Sequence, residues 1–319
     1  MQLSIVIPLF NEADSLKELA GWITDVMQKN AISYELLFID DGSTDDSWNT
    51  IEQICAENPQ VKALRFSKNF GKSQALHAGF KFTKGRLVAT MDADLQDSPE
   101  ELPEMMQLLE SKQLDLISGW KRKRHDNFIT KNLPSRLFNW AARKSSKIYL
   151  HDFNCGLKVY RSEVIKAIDV KGEMHRYIPV LAASAGFTKI GEKPVAHQAR
   201  KYGTTKFGAE RFLNGLLDLI TISFVSRFGK RPMHLFGAIG VLMFILGFGF
   251  TAYLGVDKLF FNTKARLITE RPEFYLALSS MILGTQLFLA GFLGELIVRS
   301  QADKDRYYIS EKINLNNQQ

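Results

Sequence analysis

The sequence predicts an α/β fold, in which a mostly parallel sheet covered by helices on both faces is followed by an amphipathic helix and two membrane-spanning helices. Three observations carry this reading. Strand-like and helix-like patterns alternate four times up to residue 97, the order that builds parallel sheets. The strands run into loops rich in Asp, Gly, Ser and Asn, which is where such sheets bind their ligands. Two uncharged apolar runs, 235–254 and 274–294, each approach the ~20 residues needed to cross a bilayer core.

Residues 3–7 form a short apolar run that predicts a buried strand, and Pro8, Asn11 and Glu12 mark the turn out of it. A helix is expected over 13–28. The second strand, 34–39, ends in Asp40-Asp41-Gly42-Ser43-Thr44-Asp45, whose Gly and polar side chains form a loop and cap a helix near 45–57. A third strand covers 61–66 and the next helix 72–83. Gly85 turns the chain into a fourth strand, 86–91, which stops at Asp92-Ala93-Asp94-Leu95-Gln96-Asp97. A fifth strand is expected at 114–118, and a basic helical stretch with interspersed aromatics at 121–147. Over 208–228, Phe212, Leu213, Leu216, Leu217, Ile220 and Phe224 recur at helical spacing among Arg211, Asp218 and Arg227, the pattern of an amphipathic helix. The expected division is an N-terminal α/β domain (1–207), an interfacial helix with a basic linker (208–231), a two-helix membrane domain (232–300, spans about 235–254 and 274–298) and a tail (301–319).

Lys and Arg total 41 against 34 Asp and Glu, an excess that suits phosphate, nucleotide or an acidic lipid surface. Cys55 and Cys155 are too few and too isolated for a disulfide framework or a zinc site. Residues 4–10 lack the length and basic lead-in of a signal peptide. Two crossings put both termini on one side. Arg227, Lys230 and Arg231 before the first span, with Arg299, Lys304 and Arg306 after the second, place that side in the cytoplasm. Gly237, Gly240, Gly284, Gly291 and Gly294 permit close helix contact in the membrane, within one chain or in a homo-oligomer.

Asp92, Asp94 and Gln96 occupy alternate positions at a strand end, where extended spacing turns oxygen-bearing side chains to one side. Mg2+ or Mn2+ held by one or two carboxylates completes its shell with substrate phosphates, which suits a nucleotide diphosphate. A merely solvated acidic loop would leave the strand before it, the Gly85 turn and the Gln96-Asp97 pair unexplained.

Pro8-x-x-Asn11-Glu12, Asp40-Asp41-Gly42-Ser43-Thr44-Asp45, Asn69-x-Gly71-Lys72 and Asp92-Ala93-Asp94-Leu95-Gln96-Asp97 together resemble the family 2 glycosyltransferases, whose GT-A fold has a Rossmann-like sheet. Their order and spacing are similar to the polyprenyl-phosphate hexosyltransferases, including the dolichyl-phosphate mannose synthase branch, over the chain to about Phe228. The two-span tail is similar to bacterial members. The resemblance implies that Pro8, Asn11, Glu12, Asp41, Gly71, Lys72 and Asp92 bind the nucleotide sugar, and that Asp92, Asp94 and Gln96 handle the metal and diphosphate.

Lys131 and Ser135 stand at i and i+4, so on a helix they share one face, and Arg122 or Arg124 could converge from the preceding loop. The family pattern of a basic residue and a serine at this spacing implies the acceptor phosphate as their ligand. Arg200-Lys201-Tyr202-Gly203-Thr204-Thr205-Lys206-Phe207 resembles the family's Arg-Tyr-Gly-x-Ser-Lys loop, with Lys201 inserted and Thr205 in place of Ser. Arg200 and Lys206 are thus further phosphate-gripping candidates. His151-Asp152-Phe153-Asn154-Cys155-Gly156 matches a segment that in mannose-synthase relatives reads Asp, two or three residues, then Gly. Other relatives place Asp directly after that glycine. Here the position is Leu157, which leaves Asp152 as the acidic candidate, alongside Asp92 and Asp94, for a catalytic role.

The implied activity is inverting, metal-dependent transfer of a hexose from a UDP- or GDP-sugar to a polyprenyl phosphate of undecaprenyl or dolichyl type. The lipid bilayer is the other expected partner, and nucleic acid is not one. A processive polysaccharide synthase is an alternative, but such enzymes carry Gln-x-x-Arg-Trp, and neither Trp120 nor Trp140 is preceded by it. A membrane- or nucleic-acid-binding module built on 121–124 would leave Asp92 and Asp94 without a task.

Overall fold

The structure is a computed structural model of the 319-residue chain and describes residues 1–121, 148–170, 174–198, 232–261, 266–300, 307 and 309–315. Arg122, Arg124, Lys131, Ser135, Arg200 and Lys206, with the expected amphipathic helix at 208–228, lie outside the described residues. The chain divides into two compact units, Met1–Ser226 with Asp305–Gln319, and Arg227–Lys304.

In the first unit β1 (Leu3–Leu9), α1 (Ala13–Lys29), β2 (Tyr34–Asp40), α2 (Ser47–Glu57), β3 (Val61–Phe66), α3 (Lys72–Phe82), β4 (Leu87–Thr90), α4 (Glu101–Ser111) and β5 (Leu116–Trp120) follow the predicted alternation. β6 (Lys158–Arg161), α5 (Ser162–Ala167), α6 (Ile178–Ser184) and β7 (Ile190–Pro194) come next, and β8 (Ile309–Ile313) returns from the far end of the chain. These strands form one sheet in the order β7-β5-β6-β4-β1-β2-β3-β8.

β1 lies between β2 and β4, parallel to both, and all seven of its residues are buried. The sheet is covered on both faces. Leu3, Ile5 and Ile7 join Leu16, Ile51 and Leu102 from helices on one side, while Val6 joins Leu76 and Phe80 of α3 on the other. A strand buried on both faces needs a nearly continuous apolar run, which is how β1 and β2 read in the sequence; their buried polar residues Ser4 and Glu35 pair with each other (2.5 Å).

The sheet is mostly parallel, as the sequence suggests, with two antiparallel strands among its neighbours. β6 inserts between β4 and β5 and runs antiparallel to both. β8 pairs antiparallel with β3 in a segment expected only as a tail. Glu311 of β8 accepts the Trp48 indole N–H (3.0 Å) and an Arg65 N–H (3.2 Å), and Asn314 donates to the Val61 carbonyl (2.9 Å). Tyr307 stacks on Phe66 with ring centres 4.9 Å apart. The strand thus covers an edge that would otherwise present unpaired backbone groups.

The second unit contains α7 (Pro232–Val256) and α8 (Pro272–Ser300), both long and apolar enough to cross a membrane. They pack through glycine. A Cβ on Gly240 would stand 2.5 Å from the Gly284 carbonyl oxygen, and the reverse holds for Gly284, so the two backbones touch. Ser280 Oγ also donates to the Met243 carbonyl across the pair (2.9 Å). Leu242, Ile245 and Leu246 are more than half exposed, an apolar surface suited to lipid.

Candidate active site

The carboxyl ends of β1, β2 and β4 are neighbours, and their loops are stitched together. Asn11 accepts the Thr44 N–H on its side-chain oxygen (2.8 Å) and donates its own N–H to Ser43 Oγ (2.9 Å); the Glu12 N–H donates to Ser47 Oγ (3.0 Å). Asp45 accepts the N–H groups of Ser47 (3.0 Å) and Ala13 (3.2 Å), so the predicted cap serves the starts of two helices. Gly42 has φ +71°, and a Cβ there would come within 2.4 Å of the Lys68 backbone. Asp41 is buried and accepts the N–H groups of Phe70 (2.7 Å) and Gly71 (2.9 Å), fixing the loop that opens α3. Burial pushes its carboxyl up to about 6, against the pull of those two hydrogen bonds.

β4 ends at Thr90, so Asp92 to Gln96 pass through bends rather than the extended strand expected, and Leu95 adopts φ +59°. The alternation survives the bend. Asp92, Asp94 and Gln96 are partly exposed, whereas Ala93, Leu95 and Asp97 are buried. Asp94 accepts the Gln96 N–H (3.2 Å). The Asp92 carboxylate meets Lys72 Nζ at 2.5 Å and lies against Gly156, where a Cβ would fall 2.7 Å from it. Burial opposes ionisation of Asp92, yet Lys72, Lys121 and Lys158 together hold its pKa below the usual carboxylate range. Asp97 is fully buried with Lys121 at 2.7 Å; burial raises its pKa and Lys121 works against the rise.

A cavity of about 290 Å³ opens beside Asp92. Of the residues predicted from sequence, Pro8, Lys72 and Asp92 line it. Asp94, Gln96, Asn11, Glu12, Asp41 and Gly71 lie outside its lining, and so does Asp152, which is buried and accepts the Asn154 N–H (3.0 Å) in a turn. The lining also includes Asn154, Gly156, Lys158, His175 and Arg176, none of which sequence reasoning assigned to a ligand. Ser73 Oγ, at the start of α3, accepts the His175 backbone N–H (2.9 Å) and lies 3.0 Å from Nδ1 of the same residue. Burial, then the charges of Lys72 and Arg176, bring the His175 pKa down to about 3, so the ring is neutral.

Among the described residues no three His, Cys, Asp or Glu side chains converge as a metal cage. Asp92 and Asp94 are two partly exposed carboxylates in one loop with the Gln96 amide, a set that would leave coordination positions for a ligand's own oxygens.

A helix-covered sheet whose central strands end at a stitched corner and an Asp-x-Asp loop has the architecture of the GT-A fold. The family model Glycosyl transferase family 2 matches residues 4–169, and the chain belongs to that family. It is 35% identical to the dodecaprenyl-phosphate galacturonate synthase of Rhizobium johnstonii over 98% of this chain and 93% of the relative. It is 32% identical to the undecaprenyl-phosphate 4-deoxy-4-formamido-L-arabinose transferase of Klebsiella pneumoniae, covering 98% and 94%. Among solved structures, glucosyl-3-phosphoglycerate synthase from Mycobacterium tuberculosis, in complex with Mn2+, UDP and glucosyl-3-phosphoglycerate, superposes with TM-score 0.54 at 18% identity, covering 68% of this chain and 79% of that one. That likeness is one of fold.

Proposed function

We propose that this chain transfers a hexose from a UDP- or GDP-linked donor to a polyprenyl phosphate, with inversion, on the cytoplasmic face of a membrane. The carrying observation is the partly exposed Asp92-x-Asp94-x-Gln96 loop beside a cavity whose lining includes Lys72, Lys158 and Arg176, in a chain matched over 98% of its length by relatives named for lipid-phosphate sugar transfer. Asp92 and Asp94, with Gln96, would hold Mg2+ or Mn2+ together with the donor diphosphate. Held there, the cation would supply positive charge to offset that of the leaving diphosphate.

The rest is the work of the chain. Pro8, Asn11, Glu12 and Asp41 shape the nucleoside corner, and Gly71 and Lys72 close it from the start of α3. An acceptor phosphate oxygen is already anionic at neutral pH, so attack on the anomeric carbon needs no protein base. A new carbon–oxygen bond forms as the bond to the diphosphate breaks, and the electron pair leaves with the nucleoside diphosphate. One displacement inverts the anomeric centre. Positioning and charge supply the rate enhancement. Arg122, Arg124, Lys131, Ser135, Arg200 and Lys206 are assigned to the phosphates. Asp152 serves the site by shaping the turn that carries Asn154. The two apolar helices anchor the enzyme in the bilayer, and their basic flanks set the cytoplasmic orientation.

The test offers membranes bearing the protein a panel of UDP- and GDP-sugars with undecaprenyl or dolichyl phosphate. Metal-dependent formation of a lipid phosphosugar is the expected product; donor hydrolysis or polymer growth with no lipid product would remove the reading.

A further inference from the structure

The cavity beside Asp92 is lined by a lysine in an unusual setting. Lys158 is 3% exposed, on a strand whose other residues are apolar or at the sheet rim, and its ammonium donates to the Cys155 carbonyl. Among the described residues no carboxylate lies within ion-pair distance of it. An ammonium has three N–H groups, and leaving them buried without partners is costly. Asn154, in the same lining, has a buried side-chain oxygen with no hydrogen-bond partner. Two buried polar groups are therefore left short of partners around one cavity. Arg176 brings a second cation to the lining from the turn before α6, and Lys72 a third from α3, where Asp92 neutralises it.

Lys158 of β6, Lys72 of α3 and Arg176 of the turn before α6 thus line one cavity from three separate elements. That arrangement suits a tetrahedral oxyanion, whereas a planar carboxylate is best held by a fork on one side. The unpartnered Asn154 oxygen can accept a hydroxyl adjoining that anion. We propose that this cavity is a phosphate subsite, in which Lys158 and Arg176 hold a phosphate ester and Asn154 accepts a sugar hydroxyl next to it. The inference rests on the reading of the chain as a sugar transferase using phosphate substrates. Two sources share the chemistry: the donor diphosphate and the acceptor monophosphate. Burial lowers the Lys158 pKa in the free protein, so an arriving phosphate also restores a partner for the ammonium.

The experiment compares Lys158→Met, which keeps length and apolar volume, with Lys158→Arg, which keeps the charge, in the full chain in detergent. UDP with Mn2+ is titrated calorimetrically, undecaprenyl phosphate dependence is measured in turnover, and inorganic phosphate is tested for protection against thermal unfolding. Lys158→Met is expected to lose the inorganic phosphate protection and to weaken one substrate by about tenfold or more, the scale of a lost charge-assisted hydrogen bond, with much of it recovered in Lys158→Arg. A loss confined to the acceptor KM assigns the subsite to the lipid phosphate. A loss confined to UDP affinity assigns it to the donor diphosphate. Unchanged phosphate protection and substrate affinities in a folded Lys158→Met protein would overturn the proposal, as would equal unfolding of both variants. Should the wild type transfer sugar to no lipid phosphate, the functional reading falls, while phosphate protection still decides the subsite.

Discussion

Gly156→Ala is the sharpest test of how the Asp-x-Asp loop is positioned. The added Cβ would lie 2.7 Å from all three terminal atoms of Asp92, where ordinary contact begins at 3.4 Å. The carboxylate must retreat by about 0.7 Å, toward the solvent side where 31% of its side chain is exposed. That freedom keeps the cost in stability to about 1 kcal/mol or less, typical of a substitution that neither opens a cavity nor buries a charge. The chemistry is less forgiving, because a misplacement of about 1 Å can cost on the order of a hundredfold in rate. The expected result is a fall of about 30- to 100-fold in kcat/KM for the nucleotide sugar and a higher Mn2+ midpoint, with thermal unfolding almost unchanged. Activity within about threefold of wild type, at an unshifted metal midpoint, would show that Asp92 does not act from this position.

Asp94→Asn removes a ligand charge from a partly exposed loop, so transfer should fall by at least about a hundredfold while the melting curve holds; near-normal turnover at saturating Mg2+ or Mn2+ would cancel its metal role. Asp41 gives a pH signature: with its folded pKa raised from 3.8 to about 6, the native state binds the proton more tightly. Stability then falls as pH rises from about 4 to 6, by up to about 3 kcal/mol from this group, and stays lower above pH 6. Asp41→Asn should flatten that part of the stability profile, and an unchanged slope would contradict the burial effect. Deleting residues 309–319 strips β8 from β3 and leaves the buried Trp48 indole N–H without its Glu311 acceptor. The expected loss is about 2–4 kcal/mol in thermal or denaturant unfolding, mostly from backbone pairing and the orphaned N–H; an unaltered transition would make the strand dispensable.

The half of the fold that is legible in the sequence is the half in which local pattern and tertiary demand agree. β1, β2 and β4 are buried on both faces and β3 largely so, so their apolar residues announce them, and each turn out of a strand carries its own Asn, Gly or Asp. β6, β7 and β8 are different. They have four or five residues each, with sequences KVYR, IGEKP and ISEKI, and nothing in such short polar stretches distinguishes a strand from a loop. Their pairing is decided by what already stands beside them. β6 fills the gap between β4 and β5, and β8 finds an open edge across the 78-residue unit Arg227–Lys304. The closure entropy of such a long excursion grows only with the logarithm of its length, so a five-residue strand can bring the chain back.

The site divides along the same line. The Asp92, Asp94 and Gln96 pattern stands out in the sequence because alternate oxygen-bearing side chains after an apolar strand have few other uses, and in the structure their exposure still alternates although the backbone bends. Asp152 is harder to assign from sequence, since an aspartate in a Gly-containing segment looks the same whether it meets a ligand or accepts the N–H two residues on, as it does here. Lys158 carried a usable signal: a charged residue whose neighbours Leu157, Val159 and Tyr160 are wholly buried cannot itself reach solvent easily. A lysine placed there is either paired or waiting for an anion. The sequence shows the lysine, but whether a carboxylate stands near it depends on α3, β4 and the turn at 174–177 coming together. That arrangement exists only in the folded unit, and in it the near carboxylate, Asp92, is already engaged by Lys72.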